Sequence, residues 1–267
     1  MKNEGGNDEV RDGILIQLNP HAFILHRCRL YPCFKRELIL GQTSTSIVRR
    51  QQTGRAQRQS PMLPQWAMDI LRPATRSVSR LLWRIDYAGT ENIPLRGGLI
   101  IAANHQSYID PFWIGAPVNR PVRFLAWSKS FDWPIIGKLM RLLGAWPLEI
   151  ERSDPTAIRR SLQWLRDGGA VVIFPEGGRC LPDGALMRFK NGAVRIALEA
   201  GVPILPVTIR GGHRVWPKGY RFPHLAKVEV IYHPLQHITQ QEGEDTRACA
   251  RRETNRLAEI IGGALNQ

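Results

Sequence analysis

Cysteine is scarce in this chain, with four in 267 residues (Cys28, Cys33, Cys180 and Cys249). Spread unevenly over so long a sequence, they exclude a disulfide scaffold and suit free thiols in a reducing compartment. Long apolar runs are missing as well. The longest candidate, Gly97 to Trp113, is interrupted by Asn104, His105 and Asp110, so no segment offers the roughly 18 uncharged apolar residues of a membrane-spanning helix. The first residues, MKNEGGNDEVRDG, carry more acid than base and lead into a run broken by Gln, Asn, Pro and His. That is not a signal-peptide pattern, and export is not expected. Acid is in short supply: 37 Lys and Arg stand against 23 Asp and Glu, a formal charge of +14. The excess predicts an anionic partner, whether nucleic acid, an anionic membrane surface or a phosphorylated substrate. Several catalytic signatures are also absent. Without G-x-S-x-G, G-x-x-x-x-G-K-[ST], G-x-G-x-x-G after a strand, or H-E-x-x-H, serine hydrolase, P-loop, dinucleotide and zincin chemistries are disfavoured. His26-x-Cys28-x-x-x-x-Cys33 is a poor match to zinc spacing, and no metal site is expected.

What is there fits an ordinary globular protein, with 43% apolar and 22% charged residues. Ser44 to Pro61 has four Arg, no acid and little to bury. It reads as a basic linker, so residues 1–61 are expected to form an extension and 62–267 the folded domain. From Ala74 to Ile85, Val78, Leu81, Leu82 and Ile85 follow helical spacing, while Arg76, Arg80 and Arg84 recur on another face. Such an amphipathic helix either lies on an anionic membrane or packs its apolar stripe on the domain. Pro134 to Trp146 poses the same choice: Ile135, Ile136, Leu139, Leu142 and Leu143 form one face, with Trp133 and Trp146 at the ends.

Beyond these, apolar runs at 98–103, 123–126, 145–150, 170–174, 204–209 and 227–232 read as strands. Helical patterns fall at 111–118, 134–143, 155–167, 190–200 and 247–264. The alternation predicts an α/β domain with a mainly parallel central sheet flanked by helices, ligands gathering at the carboxyl ends of the strands.

Two unusual segments directly follow apolar strands. In Asn104-His105-Gln106-Ser107-Tyr108-Ile109-Asp110-Pro111, the Asp-Pro pair is a helix start in which Asp110 caps the helix. A carboxylate oxygen not used by the cap can take the proton of one imidazole nitrogen and leave the other as a base. This is the base half of a nucleophilic triad without its serine, which points to an attacking hydroxyl on the substrate. In Phe174-Pro175-Glu176-Gly177-Gly178-Arg179-Cys180, a tight glycine turn beside a guanidinium suits an oxyanion or a phosphate.

Taken together, NHQSYID and FPEGGRC resemble the boxes of the 1-acylglycerol-3-phosphate acyltransferase family. Lys129-Ser130 with Pro134, Gly137 and Gly144, then Glu151-Arg152-Ser153, resemble the family's lysine, proline-glycine and arginine segment. Phe189-Lys190-Asn191-Gly192 and Val202-Pro203-Ile204-Leu205-Pro206-Val207 resemble its later stretches. Gly178 and Cys180 stand where the family usually has Thr and Ser, and Ser130-Phe131 replaces an acidic-aliphatic pair, departures that bear on the acceptor's head group.

The resemblance implies that His105 is the general base and Asp110 its orienting partner. It further implies that Lys129, Arg152, Glu176, Gly177 and Arg179 hold the acceptor, with Gly177-Gly178 N–H groups facing the oxyanion. The implied reaction moves a fatty acyl group from coenzyme A or acyl carrier protein to the free hydroxyl of 1-acylglycerol-3-phosphate, giving phosphatidic acid. No metal or prosthetic cofactor is implied. The implied partners are a lysolipid, the acyl thioester and an anionic membrane, at whose cytoplasmic face the protein is expected to sit peripherally. Another lysolipid acceptor, such as a lyso-ornithine lipid, shares the same boxes. A non-catalytic basic lipid-binding protein would not need His105 and Asp110, and a nucleic-acid partner is disfavoured because the strands do not interleave aromatic and basic residues.

Overall fold

A computed structural model describes residues 62–151, 154–180, 183–217 and 219–266. Seven strands form one sheet in the order β1-β7-β6-β2-β5-β3-β4. They are β1 (Asp86–Ala88), β2 (Leu99–Ala103), β3 (Val122–Trp127), β4 (Ala145–Leu148), β5 (Ala170–Ile173), β6 (Ile204–Arg210) and β7 (Glu229–Tyr232). Strands β2 to β6 run parallel, and β7 pairs antiparallel with β6 while β1 follows β7. The expected parallel α/β sheet is present, with one antiparallel turn at its edge. The helices are α1 (Gln65–Trp83), α2 (Asp110–Gly115), α3 (Pro134–Leu142), α4 (Pro155–Arg166), α5 (Gly192–Ala200) and α6 (Thr246–Leu265).

The central strands read as unbroken apolar runs because both faces of the sheet are covered. Along β2, Leu99, Ile101 and Ala103 join a core with Trp113, Ile114, Val207 and Tyr232 on one side. Ile100 and Ala102 join Leu162, Leu165, Val194, Leu257 and Ile261 on the other, as the period-2 alternation of side chains requires. With five strands in parallel, the segments after β2, β3, β4 and β5 all emerge at one edge. The antiparallel register brings Asp86 and Glu229 to that edge too, opposite Arg210 at the end of β6.

Helix α1 corrects its expected bounds, and both α1 and α3 leave apolar sides outward. The basic amphipathic helix starts at Gln65, runs through Pro73 and stops at Trp83; Arg84 takes a left-handed conformation and Ile85 is buried beyond it. Its inward side is mostly polar and ends on Trp83, which packs edge-on against Trp113 of the core, ring centroids 5.5 Å apart. Arg72 Nη2 donates to the Arg120 carbonyl at 2.9 Å and Arg76 Nε to the Ala116 carbonyl at 2.9 Å, and Ser79 is buried. Trp66, Ile70, Val78 and Leu81 all point outward, Leu81 being 81% exposed. The stripe therefore does not pack on the described part of the domain. In α3, Ile135, Ile136, Leu139 and Leu142 are likewise exposed, Ile135 at 81%, and only Gly137 is buried. A Cβ at Gly137 would meet the Phe131 carbonyl at 2.2 Å, so α3 sits against the preceding turn through a glycine and leaves its apolar side outward. The flanking tryptophans part company: Trp133 is exposed, and Trp146 is buried in β4 with the Arg123 guanidinium 5.1 Å from its ring. Leu63 N–H donates to the Leu142 carbonyl at 2.9 Å, so the start of α1 adjoins the end of α3.

Candidate active site

The loop after β2 folds around one carboxylate. Asp110 does not cap α2, whose N-cap residue is Ile109 with no side-chain bond. Its Oδ2 instead reaches back, lying 2.8 Å from His105 Nδ1 and accepting from Gln106 N–H at 2.6 Å and Ser107 N–H at 2.7 Å. The Asp110 side chain has no exposure and that of His105 has 16%. With two backbone N–H groups already donating to it, this buried oxygen is suited to accept a further hydrogen bond from Nδ1–H, the tautomer that leaves Nε2 free to act as a base, while Asp110 Oδ1 is buried without a hydrogen-bond partner. The imidazole stacks on Phe174 with centroids 4.0 Å apart and planes 19° from parallel, so its orientation is fixed from both edge and face. Asn104 closes the end of β2 by exchanging two hydrogen bonds with the Ile209 backbone, at 2.9 and 2.7 Å.

Glu176 joins this loop to the one after β5. Its Oε1 accepts from His105 N–H at 2.7 Å and its Oε2 from Met187 N–H at 2.9 Å. Burial raises its pKa to about 7, against the lowering effect of those two bonds, with the Asp110 charge adding to the rise. Both oxygens are thus engaged by backbone, and Glu176 braces the site. Gly177 forms the turn: its φ is +69°, a conformation that favours glycine. The Gly177 N–H donates to the Phe174 carbonyl at 3.0 Å, so it is spent on the turn and not on an oxyanion. Arg179 does not pair with Glu176. Its guanidinium lies 3.7 Å from the Tyr108 ring centroid, and its Nε is buried with no hydrogen-bond partner.

Lys129 stands apart from these residues. It sits in the short 3-10 turn Ser128–Asp132 after β3, exposed, with Nζ 3.4 Å from Glu151 Oε1 and 5.5 Å from the Trp127 ring. It shares an edge of the sheet with His105, and its contacts are with the last residue of β3 and the segment after β4. Arg152 lies outside the described residues, as do residues 1–61 with His26, Cys28 and Cys33. Among the described residues no group of three or more His, Cys, Asp or Glu side chains is placed to hold a metal. Cys180 is buried, its N–H donates to the His105 carbonyl at 2.7 Å, and burial pushes its thiol up to about 12. That environment suits structure, not nucleophilic attack.

Three contributors were missed from sequence. Lys190 places its ammonium against the glycine turn, where a Cβ on Gly177 would come to 2.6 Å of Nζ; its signal was its place in the FKNG stretch. Gln106 donates to the Gly184 carbonyl at 3.2 Å and accepts from His213 N–H at 3.4 Å. Tyr108 carries Arg179 on one face of its ring and has Trp216 at 5.3 Å.

The site thus brings together, at the carboxyl end of a parallel strand, a histidine in contact with a buried carboxylate and a glycine turn with the Lys190 ammonium against it. Residues 84–210 match the family model of the acyltransferases. The chain's relatives are more particular. A chloroplast 1-acyl-sn-glycerol-3-phosphate acyltransferase of Brassica napus is 33% identical over 142 residues, which are 51% of this chain and 40% of that one. A 1-acyl-sn-glycerol-3-phosphate acyltransferase of Pseudomonas aeruginosa is 32% identical over 181 residues, 66% of each chain. The crystal structure of the 1-acyl-sn-glycerophosphate (LPA) acyltransferase PlsC of Thermotoga maritima is similar with a TM-score of 0.61 at 25% identity, over 74% of this chain and 78% of that one. The chain thus spans less than half the length of the Brassica relative, and the matched family segment ends where β6 ends.

Proposed function

We propose that this chain transfers a fatty acyl group from an acyl thioester, on coenzyme A or acyl carrier protein, to the free hydroxyl of 1-acylglycerol-3-phosphate, forming phosphatidic acid. The observation that carries the reading is the 2.8 Å contact between His105 Nδ1 and the fully buried Asp110. His105 Nε2 takes the hydroxyl proton as the oxygen attacks the thioester carbonyl, and the Asp110 carboxylate stabilises the imidazolium. The tetrahedral intermediate collapses with loss of the thiolate, which recovers the proton from His105. General-base assistance of this kind is worth about 10²–10⁴ in rate.

Arg179, over the Tyr108 ring, and Lys190, against Gly177, are the cations best placed for the acceptor phosphate, since Lys129 is paired with Glu151. The scheme calls on no metal or prosthetic group. Among the described residues no helix is long and apolar enough to cross a membrane, and the outward apolar sides of α1 and α3 support peripheral attachment to an anionic membrane, at its cytoplasmic face.

Transfer of a labelled acyl group from acyl-CoA, and separately from acyl carrier protein, to a panel of lysolipids tests the reading. Lysophosphatidate is expected to be acylated, with His105→Ala slower by 10² or more. Equal turnover by His105→Ala would overturn the catalytic assignment, and activity confined to another lysolipid would overturn the acceptor.

A further inference from the structure

Between β6 and β7 the chain makes a long excursion, residues 211–228, that lies beyond the matched family segment. It contains Arg214, Lys218, Arg221 and Lys227 and no Asp or Glu. Tyr220, Phe222 and Leu225 are exposed, Leu225 at 76%, which is the reverse of what water favours for three large apolar side chains so close together.

The excursion is held in shape from two sides. On one side, Trp83 Nε1 at the end of α1 donates to the His224 carbonyl at 3.1 Å, and Val228 N–H donates to the Trp83 carbonyl at 3.1 Å. On the other, Tyr108 N–H of the catalytic loop donates to the Trp216 carbonyl at 3.3 Å. Within it, His224 N–H donates to the Val215 carbonyl at 2.8 Å and Trp216 Nε1 to the Tyr220 carbonyl at 3.0 Å.

Where the excursion meets α1, a cleft of about 410 Å³ is lined by Arg80, Arg84, Ile85, Asp86 and Lys227. Lys227 pairs with Asp86 at 3.1 Å, which leaves a cationic excess. Leu81 and Leu82 of the outward α1 stripe are exposed in the same last turn.

We propose that the 211–228 excursion is a second membrane-docking element, which seats the catalytic edge on an anionic phospholipid bilayer. Tyr220, Phe222 and Leu225 enter the interface, and the Arg80–Arg84–Lys227 cleft takes a phospholipid phosphate. Charge complementarity and continuity with the α1 stripe select a bilayer as the occupant. The geometry also gives the docking a purpose, since the strand of contacts from Trp216 through Tyr108 to Arg179 places the docked loop beside the residues that receive the acceptor. That purpose rests on the lipid-acceptor function proposed above; the docking itself does not.

Vesicle flotation decides it, with phosphatidylcholine vesicles with and without phosphatidylglycerol. The full chain is expected to float with the phosphatidylglycerol vesicles. The triple variant Tyr220→Ser/Phe222→Ser/Leu225→Ser should bind about tenfold or more weakly, with an unchanged thermal midpoint. Arg80→Gln/Arg84→Gln/Lys227→Gln should lose the preference for phosphatidylglycerol by a similar factor.

The apolar triple variant should also lose acyl transfer to lysophosphatidate in vesicles while acting as native on a short-chain, monomeric lysophosphatidate. If no acceptor is acylated by any form, the function fails and the flotation result stands alone. Native-like flotation of the apolar variant overturns the proposal. So does a native dimer that this variant converts to monomer without change in vesicle binding, which would assign the surface to a second copy of the chain.

Discussion

Helices α1 and α6 are nearly the same length, 19 and 20 residues, and they are built inside out relative to one another. Helix α6 buries Ala250, Leu257, Ile261 and Ala264 against the sheet, the usual arrangement for a helix with water on its far side. Helix α1 buries Arg72 and Ser79 and turns Trp66, Ile70, Val78 and Leu81 outward. Amphipathicity alone does not separate the two. What separates them is which stripe the domain accepts, and α1 is accepted through arginines that donate to the carbonyls of Arg120 and Ala116 and, at its end, through Trp83 packed on Trp113. A helix whose inward side is satisfied by directed hydrogen bonds keeps its apolar side available to a non-aqueous neighbour.

The contrast is broken most severely on the α6 side. Ile261→Ala, at a fully buried position, should cost about 2–5 kcal/mol of unfolding free energy in urea titration. A loss below about 1 kcal/mol would mean that α6 is not the anchored member of the pair.

Next in size is the buried carboxylate that, like Arg72, is held by backbone groups. Glu176 has its pKa raised to about 7, mainly by burial. A raised native pKa means that the folded protein holds the proton while the unfolded chain has released it, so stability falls as pH rises between about 4.5 and 7 and is level above. At about 1.4 kcal/mol per pH unit the fall is on the order of 3 kcal/mol. Denaturation at pH 5 and pH 7.5 should show this loss in the native protein and a flatter profile in Glu176→Gln. An unchanged profile would detach the effect from this residue.

Arg72→Ala comes third, at about 1–3 kcal/mol, because it leaves the Arg120 carbonyl without its donor and removes a packed stem. Loss of protection of α1 amides in hydrogen exchange should accompany it, and unchanged protection would show that the helix is held by something other than its polar side.

How much of this was legible in the sequence follows from the same physics. The strands β2 and β5 were plain because burial on both faces writes them as LIIAA and AVVI. Strand β1 was not, since three residues at the sheet edge carry no apolar run. The true start of α1 was hidden by Pro73, which usually ends a helical pattern and here lies within one. Within the candidate site, His105, Asp110 and Glu176 were singled out by their spacing after strands, and the parallel sheet brings them to one edge. Their particular duties were not legible, because they depend on loops from different strands meeting. Asp110 was expected to cap a helix with one oxygen and meet His105 with the other; it meets His105 but caps no helix, and the same oxygen also accepts from Gln106 and Ser107 N–H. Glu176 was expected to hold substrate, and nothing in the spacing showed that its two oxygens accept from the backbones of two loops. Direction is equally invisible in one sequence: periodicity shows that a helix has two sides and does not say which one the domain takes.

The smallest effect on stability is therefore the sharpest test of the comparison. Ile70→Ser/Leu81→Ser removes apolar surface that already faces outward, so nothing is taken from the core and no cavity is made. Its unfolding free energy in buffer should stay within about 0.5 kcal/mol of native, while the same change on α6, at Leu257 and Ile261, would unfold the chain. The sign of the stripe's contribution appears only when lipid is present, where partition to anionic vesicles should weaken in proportion to the apolar area removed. A loss above about 1 kcal/mol in buffer would mean that the stripe is covered in water after all, and that α1 and α6 differ in their partner and not in the medium they were built to face.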